Sequence, residues 1–276
     1  MSVFRMKGFD LEQGKAAMKV GTDGTLLGAY TIEWLRKSLI QPQRILDVGT
    51  GTGVIALMMA QMFSSAEVTA IEIDHGAAET ARRNFARSPF SSRLRLTEGD
   101  YGSVSSGTLP REYDLIVSNP PYHNGSYLPG DERRQIARHS GTLPPEVFFG
   151  TSTELLSPSG YIAVVLPTSA LPLYDRAALS CGLEMVHRCL IQTIAGKACK
   201  RVIGLWTGGG QSDCTEELLT ISTGDGYSDR YAGLMRDFRL IRILMCWEGE
   251  EKEITFVEET IDNGPGSSFS VWKQQR

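Results

Sequence analysis

The sequence contains no run of about 18 apolar residues, so it predicts no membrane-spanning helix. Its first residues, MSVFRMKGFDLEQGK, scatter charges where a secretory leader needs an apolar stretch, and no signal peptide is expected. Cys181, Cys189, Cys199, Cys214 and Cys246 stand apart with no C-x-x-C pair. That spacing speaks against a zinc site and for reduced thiols in the cytoplasm. A basic balance is missing as well: the net charge is −4. Non-selective coating of nucleic acid is thereby disfavoured, while a local basic groove is not. No internal repeat is present. The four histidines (His75, His123, His139 and His187) are scattered, and none receives a catalytic role. A chain of 276 residues suffices for one large or two small domains.

What is present is an alternation. Arg44–Val48, Glu67–Ile73, Arg93–Thr97, Tyr113–Ser118 and Tyr161–Leu166 are short apolar, β-branched runs that read as strands. Between and around them, Thr25–Lys37, Val54–Phe63, Ala77–Arg87, Val147–Leu156 and Ala170–Ser180 carry apolar residues at helical spacing. Leu183–Gln192 and Arg201–Thr207 predict an antiparallel hairpin whose loop holds Lys197 and Lys200. The expected fold is α/β, a doubly wound, mostly parallel seven-stranded sheet of Rossmann-like form with helices on both faces. Phe4–Phe9 is a further short strand, Ala17–Gly24 a loop ending in turn residues, Leu218–Ser222 an additional strand and Asp229–Phe238 a helix. His123–Thr142 is polar and reads as a loop or short helix. Residues 1–240 are expected to form one domain, with 1–37 as an N-terminal covering segment and 44–207 as the core. Residues 241–276 are an extension of unknown role, with strands at Ile241–Trp247 and Ile254–Val257 and a loose Gly264–Ser270.

Two loops concentrate the chemistry. Asp47-Val48-Gly49-Thr50-Gly51-Thr52-Gly53 joins a strand to a helix, where glycines admit a ligand to the backbone and helix N–H groups are free. The dinucleotide fingerprint places its third glycine five positions after its first. Here the third comes four positions on, and position 54 is Val, so nicotinamide binding is not predicted. Glu72 and Asp74 close the second strand, at the distance where an acid meets ribose hydroxyls, and Asp100 follows the third. The fourth strand runs into Asn119-Pro120-Pro121-Tyr122. Two prolines cannot extend a ladder, and each forces the residue before it into an extended form. A stiff arm with one amide and one aromatic ring therefore leaves the sheet where such folds bind ligands. Taken alone, this arm is equally a proline turn capped by a packed tyrosine.

The order DVGTGTG, IEID, GD, NPPY, spanning Arg44 to Tyr122, resembles class I S-adenosylmethionine (SAM) methyltransferases that act on planar nitrogens. Ala17–Tyr30, AMKVGTDGTLLGAY, closely resembles the start of the bacterial tRNA1(Val) N6-adenine methyltransferases, and Tyr227–Phe238 resembles that family's end. The resemblance implies SAM as methyl donor, S-adenosylhomocysteine as product and no metal, since the sulfonium carries its own leaving group. It implies catalysis by Asn119, Pro120 and Tyr122. The implied cofactor contacts are Lys19, Thr22, Asp47, Gly49, Thr50, Gly51, Gly53, Glu72, Asp74, Asp100 and Asn119. The implied acceptor is the adenine at position 37 in a tRNA anticodon loop. Asp23, Pro121, Arg133, Arg134, Arg138, Lys197, Lys200 and Arg201 are its candidate contacts. No membrane and no obligate protein partner are implied. A glutamine amide of a release factor, or N2 of a ribosomal guanine, presents a similar planar amine and remains an alternative acceptor.

Overall fold

The structure is a computed structural model that describes residues 3–14, 20–104, 108–121, 143–209 and 213–239, and the strands at 241–248, 251–259 and 269–273. A short antiparallel hairpin, β1 (Val3–Arg5) and β2 (Asp10–Glu12), precedes helix α1 (Thr22–Lys37). Then come β3 (Arg44–Val48), α2 (Val54–Met62), β4 (Glu67–Glu72), α3 (His75–Arg87), β5 (Leu94–Glu98) and β6 (Tyr113–Ser118). Helix α4 (Pro145–Leu155), β7 (Leu156–Pro167), α5 (Leu171–Ser180), β8 (Glu184–Ile194), β9 (Arg201–Thr207), β10 (Thr215–Ser222) and α6 (Asp229–Met235) complete the main body.

Its sheet has eight strands in the order β10-β8-β9-β7-β6-β3-β4-β5. Only β9 runs against the rest, antiparallel to both β7 and β8. The seven-stranded expectation is therefore one short, because β10 adds in parallel to the edge strand β8. Its first half, Thr215-Glu216-Glu217, has no apolar alternation to betray a strand. Polar groups hold it instead. Thr215 bonds His187 Nδ1 at 2.6 Å, and Glu217 accepts from the Tyr30 hydroxyl of α1 at 2.7 Å. Tyr30 also meets His187 Nε2 at 2.6 Å. A hydroxyl that donates to Glu217 accepts from His187 Nε2–H. Burial holds the His187 pKa below its ordinary value, against the opposing pull of Glu217.

The central strands alternate between two cores with the two-residue period of a sheet. Ile45, Leu115, Val117, Ala163 and Val165 face α1, α2, α3 and α6. Leu46, Val48, Ile116, Ile162, Val164 and Leu166 face α4 and α5, around Phe149 and Trp206. Helix α1 begins at Thr22, three residues before the periodicity indicates. Gly24, which reads as turn punctuation, lies inside it.

The chain winds from β3 outward to β5, then returns to place β6 on the other side of β3. The sheet order thus reverses between β3 and β6, and a crevice opens at their carboxyl ends. Beyond the main body, β11 (Ile241–Glu248), β12 (Glu251–Glu259) and β13 (Phe269–Lys273) pair as a separate antiparallel sheet. Phe269 and Ser270 thus belong to a strand where a loose tail is expected. Among the described residues no helix is long and apolar enough to cross a membrane.

Candidate active site

Every described element of the crevice rim sits at the carboxyl end of the parallel strands. The glycine loop follows β3. Gly49, Gly51 and Gly53 have φ of +69°, +59° and +89°, the left-handed region that suits glycine. A methyl group built on Gly49 or Gly51 would meet nothing within 4 Å, so the space above the loop is open. One built on Gly53 would strike the Phe85 ring at 2.5 Å, so this glycine serves the packing of α2 against α3. Gly53 sits at the N-cap of α2 without a side-chain hydrogen bond of its own, and the first turn is capped from below by Asp47 through Ala56 N–H.

Three side chains fasten the loop from different directions. From β4, Glu72 accepts from Gly51 N–H at 2.8 Å and from Asp74 N–H at 2.9 Å. From α3, the buried Asn84 donates to the Thr52 carbonyl at 2.8 Å and to the Glu12 carbonyl at 3.0 Å, and accepts from Glu12 N–H. From beneath, Asp47 accepts from the Thr50 hydroxyl at 2.6 Å and from Ala56 N–H at 3.0 Å. Asp47 is fully buried, and its Oδ1 has no hydrogen-bond partner among the described residues. Burial pushes its pKa up to about 7, helped by the charge of Glu72 and opposed by the Thr50 and Ala56 hydrogen bonds. The carboxyl of Asp47 therefore holds the loop from below rather than facing the crevice.

The remaining acids sit at the rim. Asp74 is exposed and caps α3 through Ala77 N–H at 2.7 Å. Asp100 is exposed after β5 and accepts from Gly102 N–H and the Ser103 hydroxyl. Their parallel strands bring Asp47, Glu72 and Asp100 to three successive strand ends.

Across the sheet reversal, the Ser118 hydroxyl donates to the Val48 carbonyl at 2.9 Å and ties the end of β6 to the end of β3. Asn119 follows, half-buried, then the buried Pro120 and the exposed Pro121. The Nδ2 face of Asn119 lies against α1: a methyl on Gly24 would sit 3.5 Å from it. The same point lies 3.8 Å from Val54 and 4.0 Å from Ile55 at the start of α2. One turn on, a methyl on Gly28 would come 2.9 Å from Met58 Sδ. Helix α1 thus rides closely on α2 and touches both the acceptor arm and the helix behind the glycine loop. Asp23, in its first turn, accepts from Arg201 Nε at 2.8 Å at the start of β9.

The structure therefore brings together Thr22, Asp23, the loop glycines, Thr50, Glu72, Asn119, Pro120 and Arg201. Asp74 and Asp100 cap helical turns at the outer rim. Lys197 and Lys200 are exposed in the turn between β8 and β9. Lys19, Tyr122, Arg133, Arg134 and Arg138 lie outside the described residues. Gly24, Ser118 and Asn84 were not singled out from the sequence. The four-residue spacing of Gly24 and Gly28 inside a helical pattern was the available sign of close packing for the first. No local pattern marks the other two.

A reversed parallel sheet with an open glycine loop and a proline arm at its crevice defines a Rossmann-like methyltransferase architecture. The family model described as methyltransferase small domain matches residues 30–170. A Porphyromonas gingivalis tRNA1(Val) (adenine(37)-N6)-methyltransferase is 41% identical over 242 residues, covering 86% of this chain and 94% of its own. The Bacteroides fragilis protein of that description is 42% identical over 238 residues, covering 86% and 97%. Among solved structures, a methyltransferase from Pyrococcus furiosus superposes with a TM-score of 0.52 at 26% identity, over 74% of this chain and 91% of that one. A protein from Agrobacterium tumefaciens described as a predicted O-methyltransferase gives 0.59 at 21% identity over 78% and 96%, a likeness of fold. The chain belongs to the methyltransferase small-domain family and, within it, to the tRNA1(Val) (adenine(37)-N6)-methyltransferases.

Proposed function

We propose that this protein methylates N6 of an adenine in the anticodon loop of a tRNA, at position 37 of tRNA1(Val), with SAM as methyl donor. The observation that carries the reading is Asn119. Its amide stands at the end of β6, tied to β3 through Ser118, across the sheet reversal from an open glycine loop.

The residues around that loop suit SAM. Left-handed glycines with empty space above them admit a ligand to the backbone. Glu72, held by two backbone amides at the end of β4, stands where ribose hydroxyls need an acceptor. Gly49, Gly51, Gly53 and Glu72 would be its principal contacts, with Thr22 at the rim of α1 and Asp100 toward the base. When bound, SAM supplies a methyl group on a sulfonium that departs as a neutral thioether.

An exocyclic amine is a poor nucleophile because its lone pair is delocalised into the ring. In this reading Asn119 Oδ1 and the Pro120 carbonyl would accept hydrogen bonds from its two N–H groups. Acceptors at these positions favour the positive charge that develops on nitrogen, so they act mainly in the transition state. Tyr122 is assigned to stack on the flat base, a contact worth about 1–3 kcal/mol. The base must leave its stack to reach the arm, which is cheapest in a single-stranded loop. Lys197 and Lys200, exposed at the same end of the sheet, suit phosphate contacts. A cytoplasmic location fits a tRNA substrate.

The test is methyl transfer from labelled SAM to unmodified tRNA1(Val). Activity is expected in the natural protein, and Asn119→Ala should lower it at least about a hundredfold with the fold retained. Transfer to a release-factor glutamine in place of tRNA would overturn the reading.

A further inference from the structure

The sequence suggests Arg201 as a phosphate contact and Asp23 as a wall of the pocket. In the structure they meet each other. Arg201 Nε lies 2.8 Å from Asp23 Oδ2, and both side chains are about one-third exposed, at 37% and 34%. Arg201 opens β9, whose register pairs it with Pro167 at the end of β7. Asp23 is the second residue of α1, and the next residue is Gly24, whose missing side chain lets α1 close on the Asn119 amide.

We propose that the Asp23–Arg201 pair is a latch that fixes the first turn of α1 against Asn119. Both are positioning residues for the methyl transfer. The inference rests on the function proposed above. Four observations converge on it.

Helix α1 is anchored strongly along its length, whereas among the described residues its first turn is tied to another element by the side-chain bond between Asp23 and Arg201. Tyr30 is bound to His187 and Glu217, and Glu33 pairs with Arg230 in a two-pronged contact. Those ties hold the middle and far end. Gly21, the residue before the helix, makes no side-chain cap. The Thr25 hydroxyl, on the Gly21 and Thr22 carbonyls, links the first turn to itself rather than to a neighbouring element. Gly24 and Gly28 bring α1 close to α2, so a tilt of its first turn shifts Asn119 and the glycine-loop helix together. Asp23 also lies in the first turn of α1, where the helix dipole favours an acid.

A latch and a phosphate contact predict opposite results for Asp23→Asn. If Arg201 is a phosphate ligand, removing its competitor makes Nε available to phosphate while Nη1 stays on the Lys200 carbonyl, and KM for tRNA falls. If the pair is a latch, kcat falls by about tenfold while KM for tRNA and SAM affinity stay within about twofold, since a small misplacement of reacting groups is costly. Arg201→Gln should produce the same kcat loss, and the double variant should be no worse than the poorer single one, as for two residues acting as a unit. Additive losses, a raised KM with a weaker salt dependence in Arg201→Gln, or unchanged kcat in Asp23→Asn would overturn the latch. Hydrogen exchange at Thr25–Ala29 gives a readout independent of the acceptor. Faster exchange in both variants, with the β3 and β6 amides unchanged, is expected, and unchanged exchange would also refute the latch. If the natural protein fails to methylate tRNA, the functional reading falls while the exchange result still decides the latch.

Discussion

Gly49, Gly51 and Gly53 share a left-handed backbone, yet alanine is not equally harmful at each. At Gly51 the added methyl meets nothing, so the expected cost is conformational, about 1–2 kcal/mol. At Gly53 the same strain is joined by overlap with Phe85, which adds about 1–3 kcal/mol more. Urea denaturation of the two variants should rank them in that order. Gly51→Ala should weaken SAM binding more than its stability loss explains, because the methyl enters the open space above the loop. Asp47 carries a pH signature. Its pKa is raised by burial to about 7, so between about pH 4 and pH 7 the folded state binds a proton that the unfolded state has released. Its contribution to stability therefore falls as pH rises through that window and levels off above it. Asp47→Asn should flatten that part of the profile relative to the natural protein, and identical pH slopes for the two would contradict it. The loop glycines and Glu72 were legible in the sequence because their spacing mirrors a local backbone need. The burial of Asp47 was not, since strand-end acids look alike until their surroundings are known.

At the scale of elements, the glycine loop is a clasp closed by groups distant in sequence. Asn84 joins Thr52 on the loop to Glu12 on the N-terminal hairpin, 72 residues away from Glu12 in the chain. Asn84→Ala leaves buried backbone groups unpaired, each at about 1–3 kcal/mol. The variant should unfold at clearly lower urea concentration and expose the β1–β2 hairpin to proteolysis; a change under about 0.5 kcal/mol would refute the clasp. Strand β3 was legible to the residue, because its apolar run is bounded by Gln43 and the first glycine. The start of α1 was not. Its Gly21 and Gly24 are turn residues by local rule, and only contact with Asn119 and α2 makes a helical Gly24 sensible. The first half of β10 was also hidden, because Glu217 and Thr215 are held by Tyr30 and His187 rather than by an apolar face.

For the whole molecule, the alternation of strands and helices was enough to define a doubly wound sheet, and the reversed β9 followed from the short loop after β8. The count of eight strands required the tertiary partners of β10. The separate sheet β11–β12–β13 was legible in its first two strands, whereas β13 follows a Gly/Ser-rich stretch that masks it. In the proposed reaction, the crevice between the loop after β3 and the arm after β6 would hold the methyl donor and the planar amine face to face. The measurement that bears most directly on this account is a nucleoside digest of tRNA1(Val) after reaction with labelled SAM. It should yield N6-methyladenosine at position 37 from the natural protein and none from Asn119→Ala. Label in methylated guanosine, label in protein glutamine, or full activity in Asn119→Ala would contradict it.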